Sequence, residues 1–161
     1  MRMSDQPSVT VETTISASPE RIFDLVSDLD VMSSFDTEFH SGEWSSGRPG
    51  AVGSTFVGRQ RMGDREWETT STVSASDPGR TFAWKVGDAD DVGAIWTFTF
   101  RSVPKGTEVT YSFVHGPGST GLRSRIEKHP EQEEEFIEAR LTMLQQNMVK
   151  TLEGVRRRVG G

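Results

Sequence analysis

IWTFTFRSVPKGTEVTYSFVH, residues 95–115, carries the clearest structural signal in the chain. From residue 96 to residue 100 every second side chain is aromatic and the side chains between them are threonine. From 109 to 113 an apolar or aromatic residue again alternates with a hydroxyl residue, and Pro104-Lys105-Gly106 separates the two runs. Alternation with a period of two is typical of strands with one buried face, and a short turn between two such strands makes them antiparallel. The stretch therefore predicts a hairpin with one aromatic face.

The same texture extends outward over most of the chain. Thr81 to Val86 alternates in the same way, and Val9 to Ile15 begins the series. Short turn signals such as Gly63-Asp64 and Asp77-Pro78-Gly79 separate the runs and leave no room for the long crossovers that parallel strands need. Together with the first run, the strand candidates of an antiparallel meander are 38–45, 53–62, 66–76, 80–87, 93–103 and 107–115.

Two kinds of helical signal flank this meander. Ser18-Pro19-Glu20 combines a capping residue, a proline suited to the first position and an acidic residue at the positive end of the helix dipole, so a short helix follows it and a second one covers 30–35. We expect residues 116–129 to form a loop. Pro130 opens the last helix, and Gly160 suits its end. Its apolar stripe, at the spacing of one helix face, is Ile137, Leu141, Leu144, Met148, Leu152, Val155 and Val159.

Composition limits the function classes. The 161 residues fit one domain, which we place at 8–160 after a disordered tail at 1–7. The net charge of −6 argues against general nucleic-acid binding, and the absence of cysteine excludes disulfides and thiolate chemistry. Neither a signal core nor an apolar run of about 18 residues occurs, so we expect a soluble cytoplasmic protein without stable membrane insertion. The three histidines lack ligand spacing, and no metal or organic cofactor is expected.

A pocket follows from the mismatch between the last helix and the sheet. A helix of nearly 30 residues spans about 45 Å, whereas a long-stranded sheet must twist and coil. The helix can contact such a sheet only along part of its length. Small or polar residues such as Ser54, Gly58 and Ser71 share the expected inner face. The alternative is a compact core that is filled by Trp67, Trp84, Trp96 and Phe98.

The motifs resemble those of the START-like SRPBCC superfamily, in particular its polyketide cyclase/dehydrase and lipid transport branch. The resemblance covers residues 8–159 and is carried by ISASPERIFDLVSDL (15–29), GSTFVGRQRMGDREWETTSTV (53–73), DPGRTFAWKV (77–86) and the final helix. It implies an α+β helix-grip (START/Bet v 1-like) fold, in which a seven-stranded antiparallel sheet wraps around the C-terminal helix and leaves a deep cavity. Members of the superfamily bind lipids, sterols, polyketides or plant hormones, and some catalyse ring closure or dehydration. Fold alone does not choose among these functions.

The candidate site residues are those expected on the cavity side. Tyr111 could donate to a ligand carbonyl, or it could be a core tyrosine whose hydroxyl is satisfied. His115 could act as an acid or base at the cavity rim, or it could be an exposed histidine at the end of a strand. Gln60 faces inward and Arg59 and Arg61 outward unless a bulge reverses them. The predicted ligand contacts are Phe56, Gln60, Trp67, Thr69, Trp84, Trp96, Phe98, Tyr111, Phe113, Leu144 and Met148.

Three functions compete on this basis. The first is the binding or carriage of a hydrophobic small molecule such as a lipid, a polyketide or another aromatic metabolite, which needs only the cavity. The second is a cyclase/dehydratase-type enzyme that uses cavity acid–base residues, with Tyr111 and His115 as its candidates. The third is a partner-binding module that uses the acidic stretch Glu131 to Glu135. We expect a monomer or a homodimer.

Overall fold

The computed structural model describes residues 1–160, which contain seven strands and four α-helices. In chain order the elements are β1 Ser8–Ile15, α1 Pro19–Val26, α2 Leu29–Phe35, β2 Phe39–Ser46, β3 Thr55–Met62, β4 Arg65–Asp77, β5 Thr81–Asp88, β6 Asp91–Val103, β7 Gly106–His115, α3 Gly121–Lys128 and α4 Glu133–Arg158. Each predicted strand is present, with its ends shifted by no more than a few residues. The first two helices are confirmed as well.

The strands form one antiparallel sheet in the order β1-β7-β6-β5-β4-β3-β2. β2 to β7 are a continuous meander joined by short turns, and β1 closes the series by pairing with β7 from Ser8↔Val114 to Ile15↔Thr107. Gly63, in the turn between β3 and β4, has a φ of +63°, a value that L side chains rarely adopt. Register shifts in β2, β4 and β6 mark bulges, which bend strands and increase their twist.

The short helices begin where their sequence signals lie. The Ser18 hydroxyl accepts a hydrogen bond from the Arg21 amide at 3.2 Å, which caps α1. The Asp28 carboxylate caps α2 by accepting from the amides of Asp30 and Val31. The burial of Ile22, Phe23 and Val26 turns α1 toward the sheet. In particular, the Phe23 ring meets the Phe82 and Phe100 rings edge to face.

Helix α4 lies across the concave face of the sheet. Its buried residues include Leu144, Met148, Leu152 and Val155, all of which belong to the main hydrophobic core. Leu141 and Val159 of the predicted stripe pack against this core while remaining partly exposed. A seven-stranded curved antiparallel sheet around a long C-terminal helix is the helix-grip fold, so the predicted fold class is confirmed.

Three expectations about the rest of the chain were wrong. Residues 116–129 are not only a loop, because they contain α3, which the Thr120 hydroxyl caps and whose Ile126 is buried. Residues 1–7 are not a disordered tail, because Met3 lies in a short 3-10 turn and is 4% exposed. Met3 packs with Ile126 and Ile137. The N-terminal segment and α3 each contain too few apolar residues to give a clear local pattern. Pro130 opens a 3-10 turn, and α4 itself begins three residues later, at Glu133.

Among residues 1–160, no helix is both long enough and apolar enough to span a membrane.

Candidate functional site

Strand register places the predicted ligand contacts of the sheet on its concave face. Residues directly opposite each other in an antiparallel pair point to the same side. The pairs Phe98↔Tyr111 and Trp96↔Phe113 therefore belong to one surface with Trp84, which pairs with both Trp96 and Val73. Phe56, Gln60, Trp67 and Thr69 continue that surface through β3 and β4, and Leu144 and Met148 are buried on α4.

One part of the concave face is filled by the protein's own rings. Phe98 and Tyr111 stack with centroids 3.8 Å apart, and both are almost completely buried. Phe56 and Phe113 are buried too. Contacts of this kind contribute about 0.5–1.5 kcal/mol beyond the burial of area. In this part of the interior the compact-core alternative describes the packing.

Trp84 and Trp96 lie on β5 and β6, two inner strands of the sheet, yet their side chains remain partly exposed. Their rings are stacked at 6.0 Å with an interplanar angle of 13°. Both strands, β5 and β6, are paired on both edges. Because both rings project from the concave face, their exposed area lies on that side of the sheet.

The next row of the concave face adjoins the two indoles. Going across the sheet from β7 toward β4, the row contains His115, Ala94, Val86 and Ser71, which are paired in sequence. The other three residues of this row, Ala94, Val86 and Ser71, are small and carry no aromatic ring. His115, Ala94 and Ser71 of this row are themselves buried, and Val86 is partly exposed.

Gln60, Thr69 and Trp67 lie near the turn between β3 and β4. With the Gln60 amide oriented as its neighbours require, its nitrogen donates to the carbonyls of Gly58 and Trp67 at 3.0 and 3.2 Å, and its oxygen accepts from the Thr69 hydroxyl at 3.1 Å. Gln60 therefore faces inward, but its polar atoms are used by its own strands. Arg65 covers the Trp67 ring at 5.1 Å from its centroid.

Arg59 and Arg61 point away from the interior. They pair on the outer face with Glu68 at 3.6 Å and with Glu66 at 2.8 Å, respectively. A bulge within β3 would have reversed this arrangement, but β3 pairs with β4 without a register shift. A bulge lies instead in β2, between Phe39 and Ser41.

Tyr111 is 1% exposed at the centre of β7. Burial raises the pKa of its hydroxyl well above the ordinary value, and the negative charge of Asp36 raises it further. The group is therefore a neutral phenol at physiological pH. It can act as a hydrogen-bond partner, but it is not poised to give up its proton.

His115 is 3% exposed at the end of β7, so the alternative of an exposed histidine is wrong. Neither ring nitrogen has a hydrogen-bond partner among the described residues, and both are shielded from solvent. Burial lowers the pKa of the imidazole to about 4, and the positive charges of Arg140 and Arg123 act in the same direction. The ring is therefore neutral at physiological pH.

Two polar pairs near this region were missed by sequence reasoning. Glu38 accepts from both terminal nitrogens of Arg140 at 2.6 and 2.9 Å, and the Asn147 amide donates to Asp36 at 2.9 Å. Burial raises the pKa of the Asp36 carboxyl. Hydrogen bonds from Phe39, Asn147 and Glu38 lower this pKa and so partly oppose the effect of burial. The one available signal was the position of Arg140 and Asn147, at helical spacing from Leu144 and hence beside the apolar stripe.

Two open clefts border this interior. One of about 720 Å³ lies between α1–α2 and the connection from β2 to β3, and it includes Asp28, Trp44 and Arg48. The other, of about 700 Å³, lies between α4 and the β2–β3 pair and includes His40, Met62 and Met143. None of the predicted ligand contacts lines either cleft.

Comparisons with known proteins agree with this architecture. Residues 6–158 match the family model described as polyketide cyclase / dehydrase and lipid transport. No curated protein matches the chain.

Solved structures share the fold. A polyketide-cyclase-like protein from Corynebacterium glutamicum is 26% identical with a TM-score of 0.69, over 94% of this chain and 90% of that one. A protein from Thermus thermophilus is 19% identical (TM-score 0.67, 95% and 97% covered). A major latex-like protein from Panax ginseng is 10% identical (TM-score 0.66, 95% and 97% covered).

Proposed function

Because the chain belongs to the polyketide cyclase / dehydrase and lipid transport family, we propose that it binds a hydrophobic, ring-bearing small molecule between the concave face and α4. The observation that carries this proposal is the partial exposure of Trp84 and Trp96, which lie on inner strands of the sheet. Two stacked indoles that solvent reaches in the middle of a sheet offer a flat apolar surface to a ligand.

The surface around the two indoles fits an apolar guest. Val86 lies on the same face of β5 as Trp84 and is partly exposed. Phe39 and Leu141 are partly buried residues that pack elsewhere against the main core. Covering apolar area is worth roughly 25 cal/mol per Å², so a ligand that removes water from these side chains is stabilised mainly by their area. Apolar walls with a few polar groups are typical of small-molecule sites.

The titratable groups favour binding over catalysis. General acid–base catalysis works best with a pKa near the operating pH. The pKa of Tyr111 is raised well above 10 and that of His115 is lowered to about 4, so both shifts lead away from neutrality. The two residues are also four positions apart on one strand, a separation of about 13 Å. We therefore place ligand binding ahead of a cyclase/dehydratase reaction.

A filling substitution tests the location of the ligand. Val86→Trp puts an indole into the row of small side chains, whereas Lys85→Trp adds the same group on the opposite face of the same strand. We expect Val86→Trp to weaken the binding of a fluorescent apolar probe, phenylnaphthylamine, by about tenfold or more, a loss of about 1.4 kcal/mol or more. Lys85→Trp should leave the affinity unchanged.

Circular dichroism and thermal unfolding of both variants establish that the fold is kept. If Val86→Trp does not fold, Ala94→Leu fills the same row with a smaller group. Equal probe affinity in the wild type and in a folded filling variant would place the ligand elsewhere and refute the proposal. Native mass spectrometry of the purified protein then identifies any small molecule that remains bound.

A further inference from the structure

His115 is a buried polar side chain whose bonding capacity is unused. Its amide is satisfied, since it donates to the Pro7 carbonyl at 2.9 Å, but neither imidazole nitrogen has a partner among the described residues. Leaving a buried donor or acceptor unpaired is expensive, and native structures do so rarely. An orphan of this kind calls for an explanation outside the ordinary packing of the chain.

The position of the ring points to the proposed ligand space. His115 pairs with Ala94, the first of the small residues beside Trp96. Phe113 contacts the imidazole edge to face, with centroids 4.7 Å apart, on the side toward the core. A ligand atom over Ala94 would therefore lie on the same face of the sheet as the imidazole.

The charges around His115 select the chemistry of that ligand. Arg140 is neutralised by Glu38, but Arg123 donates to the carbonyls of Gly118 and Gly116, both at 3.1 Å, and has no salt bridge within the described part of the chain. One positive charge near the imidazole is therefore not balanced by a paired carboxylate. A positive potential favours an electron-rich oxygen over a second cationic or donor group.

We propose that His115 is the polar anchor of the site and donates a hydrogen bond to an acceptor oxygen of the ligand. This inference rests on the proposed function. It defines the ligand class as planar, mostly apolar molecules that carry a carbonyl, phenolate or carboxylate oxygen at one end. The rings lie over Trp84 and Trp96 while the oxygen meets His115.

The test compares two probes of nearly equal shape, acetylnaphthalene and its isopropenyl analogue, in which a methylene group replaces the carbonyl oxygen. Isothermal titration calorimetry measures both affinities for the wild type, His115→Phe and the control Thr97→Val, which removes a hydroxyl from the opposite face of β6. One hydrogen bond corresponds to an affinity ratio of about fivefold. We expect the wild type and Thr97→Val to prefer the ketone by that factor, and His115→Phe to bind the two probes equally.

Each result separates the anchor from the binding function. If the wild type binds both probes with equal affinity, or if His115→Phe keeps the preference for the ketone, the anchor is refuted while the proposed function stands. A wild type that binds neither probe contradicts the proposed function itself. Should His115→Phe fail to fold, His115→Leu removes the same nitrogens with a smaller side chain.

Discussion

Acidification should destabilise the folded protein through His115. The folded-state pKa is about 4, against an ordinary value of 6.5. Between these pH values the unfolded chain binds the proton more strongly, so the contribution of His115 to stability is complete above about pH 6.5 and is lost as the pH falls toward 4. Because one pKa unit corresponds to about 1.4 kcal/mol, the loss reaches about 3 kcal/mol at pH 4 and at most about 3.5 kcal/mol below it.

The surroundings of the imidazole determine the sign of this effect. Arg123 faces it from α3 and Arg140 from α4, and Glu38 is committed to Arg140. The fixed positive charges therefore add to the cost of burial. The raised pKa of Asp36 acts in the opposite direction, because a folded-state carboxyl with a raised pKa takes up its proton more readily than the unfolded chain does.

Urea unfolding of the wild type and of His115→Phe from pH 4 to pH 8 isolates the histidine. Asp36 is common to both proteins, so its contribution cancels in the difference between their free energies of unfolding. We expect that difference to be constant above pH 7 and to move against the wild type by up to about 3 kcal/mol as the pH approaches 4. A difference that does not change with pH would refute the claim that His115 is held neutral by its surroundings.

Three further predictions concern packing. Leu144→Asp should unfold the domain or sharply lower its melting temperature, because Leu144 is fully buried and an unpaired buried charge is costly. Met143→Asp, at an exposed neighbouring position, is the control. Equal melting temperatures of the two variants would contradict the burial of the apolar stripe. Gly154→Ala should lower the free energy of unfolding by about 1–3 kcal/mol, because the new methyl group would overlap the Phe35 ring. This loss should exceed the gain from the higher helix propensity of alanine. A higher free energy of unfolding in urea titration would contradict this contact. Met3→Ser should lower the melting temperature measurably, since Met3 is buried beside α3, and an unchanged value would mean that the N-terminal segment adds nothing to stability.

The period-two pattern was sufficient to predict the strands of the sheet and the inner face of each. Alternation of aromatic and hydroxyl residues predicts that Trp84, Trp96, Phe98 and Tyr111 lie on one face, and strand register agrees with that placement. Such patterns succeed because consecutive side chains of a strand must point to opposite sides. The stripe of α4 was readable for the same kind of reason, with a period of 3.6 residues.

Local patterns were less informative where an element owes its burial to distant parts of the chain. α3 has few apolar residues, and Ile126 is buried among residues that include Met3 of the N-terminal segment and Ile137 of α4. Met3 itself is surrounded by polar neighbours that resemble a disordered tail. Nothing within either segment reveals a partner more than a hundred residues away.

Backbone periodicity in the sequence was enough to predict an antiparallel sheet with a long C-terminal helix and the side of the sheet on which each candidate lies, and the family resemblance implied the helix-grip fold. The burial of His115, the approach of Arg123 and Arg140 to it and the bonding of Gln60 to its own strands are evident only in the folded structure. These outcomes depend on contacts such as Glu38 with Arg140, which are 102 residues apart in sequence. The strength and sign of electrostatic and desolvation effects are set by such distances and by burial, and no local pattern of residues encodes them.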